Sequence, residues 1–66
     1  MDELIKKLEG TLLGEMKQHL DESIADYIKA KDGGKMASRR VRKHMLAVKE
    51  LALSIRKEML ETRNNG

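Results

Sequence analysis

A pair of adjacent glycines, Gly33 and Gly34, divides this 66-residue chain into two stretches that each have the periodicity of an amphipathic helix. No proline interrupts either stretch. The pattern predicts one helix over about 2–31, a turn over about 32–34 and a second helix over about 35–62. Two long helices joined by so short a turn fold back on each other. The sequence therefore predicts an all-α fold, an antiparallel two-helix hairpin that forms a single domain over the whole chain.

Apolar residues recur along both predicted helices at the steps of three and four that place side chains on one face. In the first helix they are Leu4, Ile5, Leu8, Leu12, Met16, Leu20, Ile24, Tyr27 and Ile28. In the second helix they are Val41, Met45, Val48, Ala52, Ile55 and Met59, which form a heptad-like seam. These two rows are expected to face each other in the hairpin.

A further apolar row in the second helix is left over by that pairing. Leu46, Leu53 and Leu60 lie about 100° around the helix from the row that contains Met45. A core of only two helices contributes little stability, and oligomerisation is a common way to cover such a surface. The simplest solution is a pair of hairpins packed as a four-helix bundle. The sequence therefore predicts a homodimer with Leu46, Leu53 and Leu60 at its interface.

Gly10 and Gly14 form a small-residue pair inside the first predicted helix. Each glycine costs the helix roughly 1 kcal/mol relative to alanine. Such pairs associate helices in membranes, but the charged neighbours Glu9, Glu15 and Lys17 exclude a membrane setting here. We expect both glycines to allow close helix packing at the oligomer interface, and a local bend of the helix is the alternative.

Composition excludes several classes of protein. The chain has no cysteine, so neither disulfides nor thiolate metal sites are available to it. Its charged start, residues 1–7, lacks the apolar run of a signal peptide. No stretch reaches the roughly 18–20 apolar residues that cross a bilayer. We therefore expect a cytoplasmic protein with no membrane partner.

Chemistry-bearing side chains are few. No arrangement of nucleophile, base and acid is visible, so catalysis is not expected. His19 and His44 are isolated along the chain, without a second ligand at metal spacing, which favours structural or surface roles for them. The sequence accordingly predicts no metal site, no cofactor and no enzymatic activity.

Charge is divided unevenly between the two halves of the chain. Residues 1–33 hold five Lys/Arg against eight Asp/Glu, a net charge of −3, and residues 34–66 hold nine against three, a net charge of +6. Five cations crowd the start of the second helix: Lys35, Arg39, Arg40, Arg42 and Lys43. Because a helix N-terminus is already positive, an anion is expected to compensate them. One candidate is the group of acids opposite in the hairpin, Glu22, Asp26 and Asp21, and an external polyanion is the other.

A line of cations continues along the second helix as Arg42, Lys49 and Arg56, spaced by seven residues and flanked by others such as Lys57. Two interpretations are open at this point. The aliphatic stems can cover the apolar seam while the charged groups reach water. Alternatively, the line follows the phosphate backbone of a nucleic acid.

Residues 29–58 also contain a recognisable order of glycine, alanine and basic residues. Its members are Lys31, Gly33, Lys35, Ala37, the run Arg40-Val41-Arg42, Lys49 and the run Arg56-Lys57-Glu58. This order resembles the bacterial linker-histone-like proteins, which are small basic proteins of the nucleoid. The resemblance implies DNA contacts at Lys35, Arg40, Arg42, Lys49, Arg56 and Lys57. Several family members continue into a long Lys-rich tail, whereas this sequence ends at Gly66, so a short, tail-less member is expected.

We therefore expect a nucleoid-associated protein that binds duplex DNA without strong sequence preference. The predicted contacts are the cations of the second helix: Lys35, Arg39, Arg40, Arg42, Lys43, Lys49, Arg56 and Lys57. Two alternatives stay open, an RNA-binding helical-hairpin dimer and a protein-interaction module whose basic face binds an acidic partner. The lack of Trp and Phe argues against sequence-specific readers of single strands, which stack bases on aromatic rings.

Overall fold

The structure, a computed structural model, describes residues 2–65 and, within them, the side chains of residues 3–63. It contains three helices: α1 (Asp2–Lys6), α2 (Leu12–Lys31) and α3 (Lys35–Asn65). Among these described helices, α2 and α3 pack against each other and α1 packs against neither. None of the three is long and apolar enough to cross a membrane. The predicted all-α helical hairpin is confirmed over the described residues.

Three residues turn the chain between α2 and α3. Gly33 has a φ of +98°, a left-handed conformation that glycine adopts without steric cost. The Gly34 N–H donates to the carbonyl of Lys29 and the Gly33 N–H donates to that of Ala30, both at 3.0 Å. This pair of hydrogen bonds is a Schellman motif, which ends α2. The chain reverses there, and α3 returns alongside α2.

The single helix predicted before the turn is wrong in one respect, because five residues interrupt it between α1 and α2. Gly10 lies in this connection with a φ of +76°. Thr11 then caps α2, since its side-chain oxygen accepts a hydrogen bond from the Gly14 N–H at 3.0 Å. A Cβ atom on Gly14 would overlap the carbonyl oxygen of Leu8. The two glycines therefore shape a turn within the chain, and the expectation that both lie inside one helix is wrong.

Replacing Gly10 and Gly14 together by alanine is expected to join α1 and α2 into one continuous helix. Each substitution favours helix by roughly 1 kcal/mol, and alanine resists the left-handed conformation of Gly10. Circular dichroism at 222 nm should show additional helix equivalent to about the five connecting residues. Gly10→Asn is the matched control, because asparagine tolerates the left-handed conformation and should leave the helix content unchanged. A loss of helix in the double variant would contradict this explanation of the break.

The seam between α2 and α3 follows a regular alternation of four- and three-residue steps. On α2 it consists of Leu12, Met16, His19, Ser23, Asp26 and Ala30, all buried or half-buried. On α3 it consists of Ala37, Val41, His44, Val48, Leu51 and Ile55, also buried or half-buried. Small and polar side chains thus line the half of the seam that lies nearest the turn. The apolar core is correspondingly weak in that half.

The predicted apolar rows depart from this seam beyond Met16. The 4-3 alternation continues to His19 and Ser23, whereas the apolar row continues to Leu20 and Ile24, about 100° farther around the helix. The members of the predicted rows that do lie in the seam are Leu12, Met16, Val41, Val48 and Ile55. The large members within α2 and α3 that are exposed instead are Leu20, Ile24, Tyr27, Ile28, Met45 and Met59. The pairing of the two complete rows is therefore wrong, and the excess apolar residues form a second, uncovered surface.

The hairpin is a single layer of helices. The molecule measures 48 × 26 × 14 Å, so its smallest dimension is close to the diameter of one helix, about 10–12 Å. Ala37, at 4% exposed, is the one buried apolar residue among the described side chains. Since stable domains usually pack two layers around a core, the faces of this layer are available to a partner.

Candidate nucleic-acid interface

The start of α3 is a helix N-terminus without a side-chain cap. Gly34 precedes the helix and has no side chain to accept hydrogen bonds from the N–H groups of the first turn. That turn, which lies wholly within the described residues, contains Lys35 and no acidic residue. α2 differs, because Thr11 caps it and Glu15 lies in its first turn. The start of α3 is therefore positive both from its backbone and from its side chains.

A shallow cleft opens beside this N-terminus. The residues around it include the turn glycines Gly33 and Gly34 together with Lys35, Arg39 and Arg42. Three cations thus surround a stretch of exposed backbone at the end of a helix. Backbone N–H groups and basic side chains in this combination bind phosphate groups at helix N-termini.

One cation of the cluster is neutralised by α2. An Arg40 side-chain nitrogen donates to Asp26 Oδ1 at 2.9 Å. This hydrogen bond, helped by the guanidinium charge and partly offset by burial, lowers the pKa of Asp26 below its ordinary value. The other two acids expected to compensate the cluster have partners within α2: Glu22 accepts from the Gln18 amide at 3.1 Å, and Asp21 pairs with Lys17 at 2.7 Å. Among the described side chains, Arg40 is the one cation of α3 in an ion pair.

Replacing Asp26 by asparagine is expected to destabilise the hairpin at neutral pH. Because folding lowers the pKa of Asp26 below 3.8, its carboxylate stabilises the folded state above that pH, and this contribution is lost as the pH falls through the lowered value. Urea unfolding should therefore show a stability difference between wild type and variant at about pH 7 that shrinks towards about pH 2.5. Asp21→Asn, which removes the exposed Lys17–Asp21 pair, is the control and should change stability by only about 0–1 kcal/mol. An Asp26→Asn effect of equal size at both pH values would contradict the assigned role.

The other predicted cations of α3 are all exposed: Lys35, Arg39, Arg42, Lys43, Lys49, Arg56 and Lys57. From the helical rotation, the line formed by Arg42, Lys49 and Arg56 lies about 120° from the seam. The row of Leu46, Leu53 and Leu60 lies about 160° from it, farthest from α2, and is 56–59% exposed. Cations flank this leucine row on both sides. We call the surface made by these cations and leucines the outer face of α3.

The two histidines meet across the seam. The Nδ1 atoms of His19 and His44 are 3.0 Å apart, and their ring centroids are 5.2 Å apart. The expectation that these residues are isolated is therefore wrong. Sequence spacing hides the pair, because the residues are 25 positions apart and become neighbours only when the turn brings α3 back to α2. The sequence signal that could have revealed the pair is the alternation of four- and three-residue steps, which places His19 in the seam after Met16.

Comparison with known families places most of the chain in one family. A family model described as histone H1-like protein Hc1 matches residues 10–65, which include all of α2, the turn and α3. No curated protein and no solved structure shows a match. The resemblance found in residues 29–58 is confirmed by the family match. The chain belongs to the histone H1-like Hc1 family, a structural family of DNA-binding proteins of the nucleoid rather than a family of enzymes.

Proposed function

We propose that this protein binds the phosphates of duplex DNA without strong sequence preference and acts on the nucleoid in the cytoplasm. The observation that carries the proposal is the outer face of α3, where seven exposed cations are in no ion pair among the described side chains. Release of counter-ions from DNA drives binding to such a surface whatever the base sequence. Membership of the histone H1-like family supports DNA as the polyanion.

We infer that the start of α3 binds one phosphate group. Gly34 leaves the N–H groups of the first turn without a side-chain acceptor, and Lys35, Arg39 and Arg42 surround the adjacent cleft. A phosphate at this place would supply the anion that the helix dipole favours. It would also offset the mutual repulsion of the three cations.

The line of cations is long enough to contact several phosphates. From Lys35 to Arg56, α3 rises about 32 Å at 1.5 Å per residue, which is close to the roughly 34 Å of one turn of B-DNA. Lys35, Arg42, Lys49 and Arg56 stand at seven-residue intervals along this length. Contacts between such side chains and phosphates fix position on the duplex but do not read bases. Binding without strong sequence preference follows.

We also propose that the protein is a homodimer in which two hairpins form a four-helix bundle. The exposed apolar residues of α2, including Leu20, Ile24 and Tyr27, are displaced from the seam in the same rotational sense as Met45 and Met59 of α3. In an antiparallel pair, equal displacement puts both rows on one side of the hairpin, which we call the apolar flank. A second copy packed there would provide the missing layer.

Dimerisation through the apolar flank has a functional advantage. It leaves the leucine row and the cations beyond it, among them Arg39 and Lys57, open to DNA, and it places the line of Arg42, Lys49 and Arg56 at the edge of the contact. Two such surfaces in one particle raise the local positive potential. The alternative contact uses Leu46, Leu53 and Leu60, together with Gly10 and Gly14. That contact has cations on both sides of the leucine row, so it brings more cations of the two copies together, where they repel each other.

The proposed partner is tested by fluorescence anisotropy at about 50 mM salt, where phosphate contacts are strong. The probes are two labelled DNA duplexes of unrelated sequence, an RNA duplex and polyglutamate. We expect both DNA duplexes to bind with affinities within about threefold of each other, and polyglutamate to bind more weakly. Binding of RNA tenfold or more above DNA would favour the RNA-binding alternative. Binding of polyglutamate alone would favour the protein-interaction alternative.

A further inference from the structure

Three side chains that can ligate a metal ion meet where α2 and α3 pack together. His19 and Glu22 come from α2, and His44 comes from α3. One ligand atom of each lies within 4.8 Å of the other two, and the two imidazole Nδ1 atoms are 3.0 Å apart. Both histidines are half-buried, whereas Glu22 is exposed. The cluster therefore has two nitrogen ligands in the seam and an oxygen ligand at its solvent edge.

We propose that His19, Glu22 and His44 bind a Zn²⁺ ion that links α2 to α3. Two imidazole nitrogens that each lie about 2.0–2.1 Å from a tetrahedral zinc ion are about 3.3 Å from each other. The observed separation of 3.0 Å needs only a small adjustment to reach that value. Glu22 follows His19 by three residues, so both stand on one face of α2 and a rotamer change brings the carboxylate to the ion. Water fills the fourth position, as in other zinc sites with three protein ligands.

The surrounding charges suit a cation. Arg40 precedes His44 by one turn of α3, but its guanidinium is neutralised by Asp26 at 2.9 Å. The Glu22 carboxylate adds a negative charge, and its present partner is the neutral amide of Gln18. Exchanging a neutral hydrogen-bond donor for a divalent ion strengthens the electrostatic interaction of that carboxylate.

The proposed site lies where the hairpin lacks an apolar core. His19, Ser23 and His44 occupy seam positions that large apolar side chains fill in well-packed helix pairs. An ion held by both helices binds the folded hairpin and not the unfolded chain, so it stabilises the fold. Small domains commonly use a structural metal in this way. The alternative is a hydrogen-bonded pair of neutral imidazoles, in which one ring donates and the other accepts.

The response of the protein to added zinc distinguishes a metal site from a hydrogen-bonded pair of neutral imidazoles. Thermal unfolding followed by circular dichroism should show a melting temperature at least about 8 °C higher with excess ZnCl₂ than with EDTA. Isothermal titration calorimetry should give one Zn²⁺ per chain. Glu22→Gln is expected to weaken zinc binding at least about tenfold. Glu15→Gln, which removes an exposed carboxylate of α2 outside the cluster, is the matched control and should bind zinc as the wild type does.

A second variant removes both nitrogen ligands and keeps the seam filled. His19→Leu combined with His44→Leu fills the seam with apolar side chains, so the hairpin should stay folded while its response to zinc is lost. A wild-type melting temperature that zinc leaves unchanged would overturn the proposal. A zinc response that persists in the double leucine variant would overturn it as well. These readouts involve no DNA and are therefore independent of the proposed function.

Discussion

Replacing Arg42, Lys49 and Arg56 together by glutamine is expected to lower the affinity for duplex DNA by about 10²–10³-fold at 0.1 M salt. Each phosphate contact that is lost removes about 0.9 from the slope of log K against log salt, so three contacts remove about 2.7 per protomer. Glutamine is about as good a helix former as the residues that it replaces. Circular dichroism should therefore show unchanged helix content, and anisotropy titrations over a range of salt concentrations measure the slope.

The matched control for this triple variant removes the same charge from the first half of the chain. The control replaces Lys6, Lys7 and Lys17, which all lie before α3, by glutamine. It lowers the net charge by three, as the triple variant of α3 does. We expect this control to lose much less affinity. Arg40 is left in place in both variants, because its guanidinium is held by Asp26. Equal losses in the two variants would show that net charge, rather than the outer face of α3, sets the affinity.

Ile24→Lys is expected to convert the protein from a dimer to a monomer. Ile24 is 57% exposed in the single hairpin and stands on the apolar flank. Burying a side chain of this size contributes roughly 1.5–3 kcal/mol, and each dimer buries two. Placing a lysine there on each copy adds the cost of desolvating two charges. Light scattering coupled to size-exclusion chromatography should show the mass of the variant at half that of the wild type.

Two further variants locate the contact. Ala25→Lys changes an exposed residue next to Ile24 that points away from the apolar flank, so the dimer should persist. Leu53→Lys changes the outer face of α3 and should also leave the dimer intact. Dissociation by Leu53→Lys but not by Ile24→Lys would assign the interface to the leucine row. A wild type that is monomeric throughout the micromolar range would refute dimerisation.

The hairpin is predictable from the sequence because its turn is a local structure. Gly33 and Gly34 supply the left-handed residue and the two N–H groups that a Schellman motif needs, and no distant contact is required. The break at Gly10 is harder to predict, because helix periodicity continues through it. The contacts at the break are local, such as the hydrogen bond from the Gly14 N–H to Thr11, but the sequence is equally compatible with a costly glycine within a helix and with a turn capped by Thr11.

The identity of the seam residues shows where pattern reading fails. Apolar character favours Leu20 and Ile24 over His19 and Ser23, yet the latter pair lies between the helices. Packing follows the 4-3 alternation that keeps one stripe facing the partner helix. Apolar residues that lie off this stripe indicate a second packing surface. The sequence alone does not tell which of the two surfaces faces the partner helix.

The candidate site was predictable in its charge but not in its pairing. The cations of α3 are exposed, as expected, because α2 offers too few acids to pair with so many of them. The hairpin register brings Asp26 to Arg40, while Glu22 lies beside Gln18 and the histidine pair. Which of two nearby acids reaches a given guanidinium depends on rotations of about 100° per residue, which only a three-dimensional structure resolves.

Sequence-independent binding of duplex DNA through phosphates is tested most directly by the salt dependence of the wild-type affinity. The measurement is log K against log salt for two DNA duplexes of unrelated sequence. The seven cations of the outer face of α3 allow a slope of at most about −6 per protomer, and we expect a value between about −3 and −6 with the two lines superimposed. A slope near zero, or affinities for the two duplexes that differ by tenfold or more at every salt concentration, would contradict the account.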